Sequence, residues 1–201
     1  MAMKQMHDIG LSDVINVMIA KGYTVNTDFR PNIVGIRNAN RQSNSYDDIC
    51  WVWWTEGKQI VHNYTITTNP GYYYLQNPIA GTDGTAILVP GQYVGCWTLG
   101  MHRGKQFALV QHGAMVSVYR DANKDTVLDY NPQKIDTGWF GIDGHFGSLG
   151  DTDVVDRFSA GCQVWRYHEA HQELMQDLKA LSEKHKFTKF TYTLIQQEDF
   201  V

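Results

Sequence analysis

The 201-residue sequence has little cysteine and little charge. Its three cysteines, Cys50, Cys96 and Cys162, are an odd number at wide spacing and include no CxxC pair. This pattern argues against a disulfide framework and against a cysteine-rich zinc site. Only 19% of the residues are charged and the formal net charge is -4, so the chain lacks a broad basic field for a nucleic-acid backbone. We therefore expect no nucleic-acid partner.

Long apolar runs are also missing from the sequence. Because a helix needs about 18 apolar residues to span a bilayer, we expect no membrane insertion. Residues 1–23 show no uninterrupted apolar stretch followed by a cleavage site, so we expect synthesis in the cytoplasm without a signal peptide. The 43% of hydrophobic residues is enough for a folded core. We expect a single core and a monomer.

The hydrophobic period changes along the chain. Residues 11–21 place apolar side chains at helical spacing, whereas short runs rich in β-branched and aromatic residues follow from residue 32. Helical spacing returns in residues 168–185, before a final strand. The sequence therefore predicts a mainly β, α+β fold, with an amphipathic C-terminal helix on a mainly antiparallel sheet. A short helical segment, residues 1–30, is expected to pack on a main domain of residues 31–201.

Cys162 has the clearest chemical context, in the segment FSAGCQV. Small residues before a thiol leave backbone N–H groups free to face a developing oxyanion. A cysteine at its ordinary pKa is mostly protonated at neutral pH, so a nucleophilic role requires a nearby base or a positive potential. His145, in the glycine-rich segment GWFGIDGHFGSLGD, is the strongest candidate base. Core packing of Cys162 is the alternative, because free cysteine is often buried.

These two motifs resemble the active-site signature of the L,D-transpeptidases of the YkuD type. In that family a strand ending in His-Gly or His-Ser precedes Ser/Thr-His-Gly-Cys. The segment ICWVWWTEGKQIVHNYTITTNPG is similar to the family's opening hairpin, and GTAILVPGQYVG resembles its Pro-Gly segment before a strand. The likeness covers residues 32–181 and implies an L,D-transpeptidase-like antiparallel β-sandwich.

The resemblance also implies roles for individual residues. Cys162 would be the acyl-accepting nucleophile and His145 its general base. Gly161, together with the Cys162 amide, would contribute to the oxyanion site, and Ser159 would shape the loop. The expected distance between the sulfur and a ring nitrogen of His145 is about 4 Å, in an open cleft.

Two departures from the family pattern bear on the reaction. Ala160 stands where the family has a histidine, and Gln163 and Val164 replace the usual arginine. Members with SAGCQ in place of SHGCIR resemble a phage and prophage branch of cell-wall lysis proteins. The resemblance thus implies a peptidoglycan-active enzyme that forms a thioester with a stem peptide and hydrolyses it, as endolysins act. It would reach the cell wall, in the periplasm, when released by a phage lysis system.

Two other functions remain open at this point. One is a true transpeptidase, which transfers the thioester to an amine and makes cross-links. The other is a non-catalytic cell-wall binding or virion protein with the same fold. Near the proposed dyad in sequence, Trp139, Phe146, Gln163 and Trp165 are candidates for substrate binding, with core packing as the competing assignment of the aromatic rings.

The sequence contains one calcium-like pattern. Thr126 and Pro132 stand where a calcium loop has its glycine and its last glutamate. An acidic turn and a weak structural calcium site both remain open, and the expected chemistry requires no cofactor. Four oxygen-bearing side chains fall at the first, third, fifth and ninth places of such a loop: Asp121, Asn123, Asp125 and Asp129.

A hydrolytic zinc site is a weaker hypothesis. Asp143 and His145, with Asp151 or Asp153, are suitable ligand types, but the sequence has no HExxH or other paired-histidine spacing. The remaining strand histidines, His62, His102 and His112, are interpreted as isolated surface or core residues.

Overall fold

A computed structural model describes residues 2–150 and 152–201. Over these residues the chain is mainly β with three α-helices, which confirms the α+β expectation. None of the helices in this described part of the chain is long and apolar enough to cross a membrane. In chain order the elements are α1 (Leu11–Ala20), β1 (Asn32–Arg37), β2 (Asp48–Glu56), β3 (Lys58–Thr67), α2 (Tyr72–Gln76), β4 (Thr85–Leu88), β5 (Gly91–His102), β6 (Gln106–Val110), β7 (Val116–Asp121), β8 (Ile135–Gly138), β9 (Gly144–Phe146), β10 (Gln163–Trp165), α3 (His168–His185) and β11 (Phe190–Gln196).

Eight strands close into a barrel, in the order β1-β11-β5-β6-β9-β10-β3-β2. A separate sheet contains β4, β7 and β8, with β7 in the middle. Two neighbouring pairs in the barrel, β1 with β11 and β9 with β10, are parallel. The strand pairing thus differs from the expected antiparallel sandwich, because the large sheet closes on itself and long connections allow parallel neighbours. Residues 147–162 are such a connection, between β9 and β10.

The segment TEGK, residues 55–58, separates two strand-like runs and predicts a turn, and the hairpin of β2 and β3 forms there. Glu56 pairs with Lys58, so Gly57 alone makes the reversal. Its φ of +73° lies in the left-handed region that glycine adopts without a steric penalty. The two strands then remain in register over nine residue pairs, back to Asp48 and Ile66.

The main core fills the barrel and extends under α3. Trp97, Trp165 and Tyr192 are completely buried there. On α3, Leu174, Leu178 and Leu181 form the predicted apolar stripe and face this core. Burying each leucine side chain contributes about 1.5–3 kcal/mol, so this stripe fixes α3 against the sheet. The contacts of α3 with β6 and β9 hold it beside the strand that carries His145.

The N-terminal helix covers the outer face of β1. Val14 and Met18 of α1 are buried in an apolar cluster with Val34 and Ile36. Gly10 caps the N-terminus of the helix, and its N–H donates to the Asp13 carboxylate at 2.9 Å. Strand β1 is therefore buried on both faces. The division of the chain into residues 1–30 and 31–201 stays a prediction.

Candidate active site

The parallel pair of β9 and β10 brings the two motifs together. Val164 lies opposite His145, and the Gln163 N–H donates to the Asp143 carbonyl at 2.9 Å. Cys162 immediately precedes β10, so its side chain emerges beside the start of β9. The Cys162 sulfur, a nitrogen of His145 and a nitrogen of His102 lie within 4.8 Å of one another. Two residues singled out by the sequence are thus neighbours, and a third joins them.

The loop before Cys162 depends on Gly161 and Ser159. Gly161 has a φ of +123°, and a Cβ there would collide with the Ala86 carbonyl oxygen. The buried Ser159 hydroxyl donates to the Cys162 carbonyl at 2.9 Å and accepts the Gly161 N–H at 3.1 Å. Ser159 therefore holds the loop. The oxyanion assignment of Gly161 needs correction, because its amide is already engaged with this hydroxyl.

Cys162 lies at the wall of a cavity of about 410 Å³ with only 8% of its surface exposed. Burial, and secondarily the Asp143 carboxylate, raise the pKa of the Cys162 thiol to about 12. The Arg103 charge and the Asp143 backbone N–H oppose this shift but do not cancel it. The thiol is therefore protonated at rest, and it donates to the Gly141 carbonyl at 3.3 Å.

His145 is a neutral imidazole in the folded protein. Burial, and then repulsion from His102, lower the pKa of His145 to about 3. Its Nδ1 lies 2.8 Å from the carbonyl oxygen of Phe146. Because a carbonyl only accepts, Nδ1 carries the proton and Nε2 keeps a free lone pair. A neutral imidazole with an available Nε2 can accept a proton from a neighbouring thiol.

His102 is the site residue that sequence reasoning missed. It ends β5, and its ring stacks on His145 with centroids 4.0 Å apart and planes inclined by 16°. The Nδ1 of His102 lies 2.7 Å from Asp143 Oδ2, and the other oxygen of that carboxylate accepts the Gln111 N–H at 2.8 Å. The interpretation of His102 as an isolated histidine was wrong, because only the pairing of β5, β6 and β9 brings it to the site.

Aromatic, cationic and acidic side chains line the cavity beside the thiol. A second cavity of about 820 Å³ shares Ile79, Thr82, Gly84 and Arg120 with it, and adds Lys124 and Lys134. Arg120 is paired with Asp136 at 2.8 Å. The first cavity borders the thiol, and the walls of the two cavities carry cationic groups together with the carboxylates of Asp83, Asp136 and Asp143. Besides Cys162 and His102, the side chains around the first cavity include Tyr74, Arg103, Arg120, Trp139 and Phe140.

The predicted substrate-binding residues separate into two groups. Trp139 is 54% exposed and lines the cavity. Phe146 instead packs against His168 of α3, with ring centroids 4.4 Å apart. Gln163 and Trp165 are buried in the core, where Gln163 accepts the Tyr192 hydroxyl at 2.7 Å. Because their side chains face inward from β10, the substrate-binding assignment of Gln163 and Trp165 is corrected to packing.

The calcium-like residues lie at the end of β7 and in the loop that follows it. The Asn123 amide donates to the carboxylates of Asp125 at 3.0 Å and Asp129 at 2.9 Å. Asp121 is buried and accepts the Asp129 N–H at 3.0 Å. The loop thus satisfies many of its polar groups internally. Calcium binding by these four residues stays a prediction.

The zinc hypothesis based on Asp143, His145 and Asp153 does not match the geometry. Asp143 is the hydrogen-bond partner of His102, and Asp153 is largely exposed and paired with Arg166. Asp151, the other candidate, lies outside the described residues. The potential metal ligands that do lie close to His145 are the imidazole of His102 and the thiol of Cys162.

Neither the family models nor the curated proteins nor the solved structures contain a match to this chain. Function is therefore inferred from the chemistry of the site.

Proposed function

We propose that this protein is a cysteine enzyme of the L,D-transpeptidase type that acts on the stem peptide of peptidoglycan. The observation that carries the proposal is the position of the Cys162 sulfur within 4.8 Å of a His145 nitrogen, at the wall of a cavity. The motif resemblance supplies the substrate class. The finer fold assignment that accompanies this proposal is an L,D-transpeptidase-like domain in which the large sheet closes into the barrel described above.

The reaction begins from a neutral pair. As the sulfur attacks a stem-peptide carbonyl, His145 takes the thiol proton, a C–S bond forms and negative charge develops on the carbonyl oxygen. The intermediate then collapses: the C–N bond breaks and the imidazolium donates its proton to the leaving amine. The product of this half-reaction is a thioester on Cys162.

Hydrolysis completes the cycle. His145 removes a proton from water as the oxygen attacks the thioester carbonyl. The C–S bond then breaks, the imidazolium returns its proton to the sulfur, and the carboxylic acid product loses its proton to solvent. We favour this outcome over cross-linking because Ala160 replaces the substrate-side histidine of the family pattern. Transfer of the same thioester to an amine is the alternative.

His102 and Asp143 support the base. The carboxylate accepts the Nδ1–H of His102, which fixes the tautomer and the plane of that ring. The stacked ring in turn limits the orientation of His145. We therefore assign His102 and Asp143 as positioning residues for the dyad.

The cavities suit a peptide that carries carboxylates. Arg103 lies at the cavity beside the thiol, and Lys124 and Lys134 lie at the adjoining one. Free carboxylates are a feature of stem peptides, and cationic side chains attract them. Trp139 offers an exposed apolar surface to the rest of the peptide.

Muropeptide mass spectrometry of purified sacculi incubated with the protein tests the proposal. We expect shortened stem peptides with the wild type and none with Cys162→Ala. The matched control is Cys96→Ala, because Cys96 is a buried thiol of the barrel core that does not line the cavity. New cross-links would favour transpeptidation, and sacculus binding without any chemical change would favour a non-catalytic wall-binding protein.

A further inference from the structure

We propose that His102, His145 and Cys162 form a binding site for one Zn²⁺ ion. The three donor atoms lie within 4.8 Å of one another, although the residues come from three separate segments of the chain. Two imidazole nitrogens and one thiolate are a preferred donor set for zinc. This inference does not rest on the proposed function, because metal binding requires only the side chains and their geometry.

Both imidazoles already make the second hydrogen bond that zinc-bound histidines usually make. A metal-bound histidine typically donates its other ring N–H to a carboxylate or a backbone carbonyl, which fixes the ring. Here the Nδ1 of His102 meets the Asp143 carboxylate at 2.7 Å, and the Nδ1 of His145 meets the Phe146 carbonyl at 2.8 Å. Each ring therefore keeps the lone pair of Nε2 for a metal.

The carboxylate of Asp143 is itself held in place. Its second oxygen accepts the Gln111 N–H at 2.8 Å, so the chain from backbone to carboxylate to imidazole is continuous. An isolated surface histidine lacks such a chain. Zinc proteins commonly hold a metal-bound histidine through such a carboxylate.

Access and coordination number also fit zinc. His102 and Cys162 both line the cavity of about 410 Å³, which provides an entry path and space for a water as fourth ligand. Zinc bonds of about 2.0–2.3 Å bring donor atoms to roughly 3.4 Å in a tetrahedron. Because the rings are stacked with planes inclined by 16°, zinc binding requires the two imidazoles to turn toward a common point, and the proposal includes this rotation.

Binding is balanced by loss of one proton. Zn²⁺ displaces the proton of the Cys162 thiol to solvent, a Zn–S bond forms, and the hydrogen bond from the thiol to the Gly141 carbonyl is lost. The ion then binds both the free lone pair of His145 and the nucleophilic sulfur, so neither is available for catalysis. If the proposed function holds, zinc is an inhibitor of the enzyme that leaves its fold intact.

Cobalt substitution gives a readout that is independent of activity. The purified protein is stripped with a chelator and titrated with Co²⁺, whose thiolate complexes absorb in the near ultraviolet. We expect a charge-transfer band that saturates at one equivalent and disappears when Zn²⁺ is added. Cys162→Ser should lose the band, and Asp143→Asn should weaken metal affinity by about 10–100-fold.

Matched controls separate this site from other cysteines and histidines. Cys96→Ser removes a buried thiol elsewhere, and His112→Gln removes an exposed histidine, so both should bind metal as the wild type does. Circular dichroism establishes that each variant is folded. Absence of the band in folded wild type, or its persistence in Cys162→Ser, would overturn the zinc site. A normal band from a protein whose metal-free form leaves sacculi unchanged would instead reject the proposed function alone.

Discussion

At the scale of single residues, the dyad rests in its uncharged form. Burial disfavours the thiolate of Cys162 and the imidazolium of His145 alike. The pair therefore differs from the preformed thiolate and imidazolium found in enzymes with an acidic cysteine. The thiol proton therefore moves to His145 while the sulfur attacks the substrate. A substrate bound in the cavity supplies the carbonyl carbon that the sulfur attacks.

Alkylation should report this resting state. Because the pKa of Cys162 is raised to about 12, its thiolate fraction grows about tenfold per pH unit below that value. We expect the rate of iodoacetamide modification at Cys162, followed by peptide mapping, to rise in this way between pH 7 and 9. A rate that is already at its plateau at pH 7 would indicate a preformed thiolate.

Removal of the base should affect turnover more than binding. Positioned acid-base catalysis contributes on the order of 10²–10⁴-fold, so we expect His145→Gln to lower kcat by such a factor. His112→Gln is the control, because His112 is exposed and does not line the cavity. Equal kcat values for wild type and His145→Gln would remove His145 from the mechanism.

At the scale of secondary-structure elements, a buried polar network joins the strand ends. The Asp48 carboxylate accepts the Asn38 N–H at 2.7 Å and both the N–H and the hydroxyl of Thr68. Arg37, also buried, donates to Thr68 and to the Leu88 carbonyl at 2.9 Å. The network ties β1, β2 and β3 to β4, which belongs to the smaller sheet.

Loss of Asp48 should be costly for stability. Asp48→Ala leaves the N–H and hydroxyl of Thr68 and the N–H of Asn38 without their acceptor, and each buried donor left unsatisfied typically costs about 1–3 kcal/mol. Urea denaturation measures the free energy of unfolding. Asp47→Ala is the matched control, because its carboxylate makes an exposed contact to Asn40 and should change stability by less than about 0.5 kcal/mol. Similar losses in both variants would argue against the network.

Local sequence patterns predicted the helices and strands well. They could not predict which strands pair with each other, and this pairing determines which side chains meet at the site. Helix α3 occupies the predicted residues 168–185, and Gly57 turns the predicted hairpin, because both depend on spacing within one segment. His102 could not be assigned from its own segment, since its role requires β5 to lie near β9 through β6. The charged segment HEAHQE, residues 168–173, has helical spacing that predicts a solvated face, yet His171 within it is buried against Trp165.

At the scale of the whole molecule, the barrel and α3 enclose His171, and protonation of this buried side chain lowers the free energy of unfolding. Burial lowers the pKa of His171 to about 4, while its Nε2 lies 3.3 Å from the Gly144 carbonyl. Protonation is easier in the unfolded chain, where the ordinary pKa of histidine applies. The unfolded state thus binds more protons between about pH 4 and 6.5, and His171 makes the fold less stable as pH falls through that window.

Unfolding at several pH values checks this contribution. Below pH 6.5 a buried neutral histidine costs up to about 1.4 kcal/mol per pH unit. We expect the free energy of unfolding of His171→Gln to fall less than that of the wild type between pH 7 and 5. Parallel pH curves for the two proteins would show that His171 does not contribute to acid sensitivity.

The most direct test of the central claim is capture of the acyl-enzyme. The protein is incubated with a synthetic stem tetrapeptide, quenched in acid and analysed by intact-mass and peptide-mapping mass spectrometry. We predict a thioester adduct on Cys162 that is absent from Cys162→Ala, together with a shortened peptide in the wild-type reaction. Peptide shortening by Cys162→Ala at the wild-type rate, or an adduct mapped to another residue, would contradict the account.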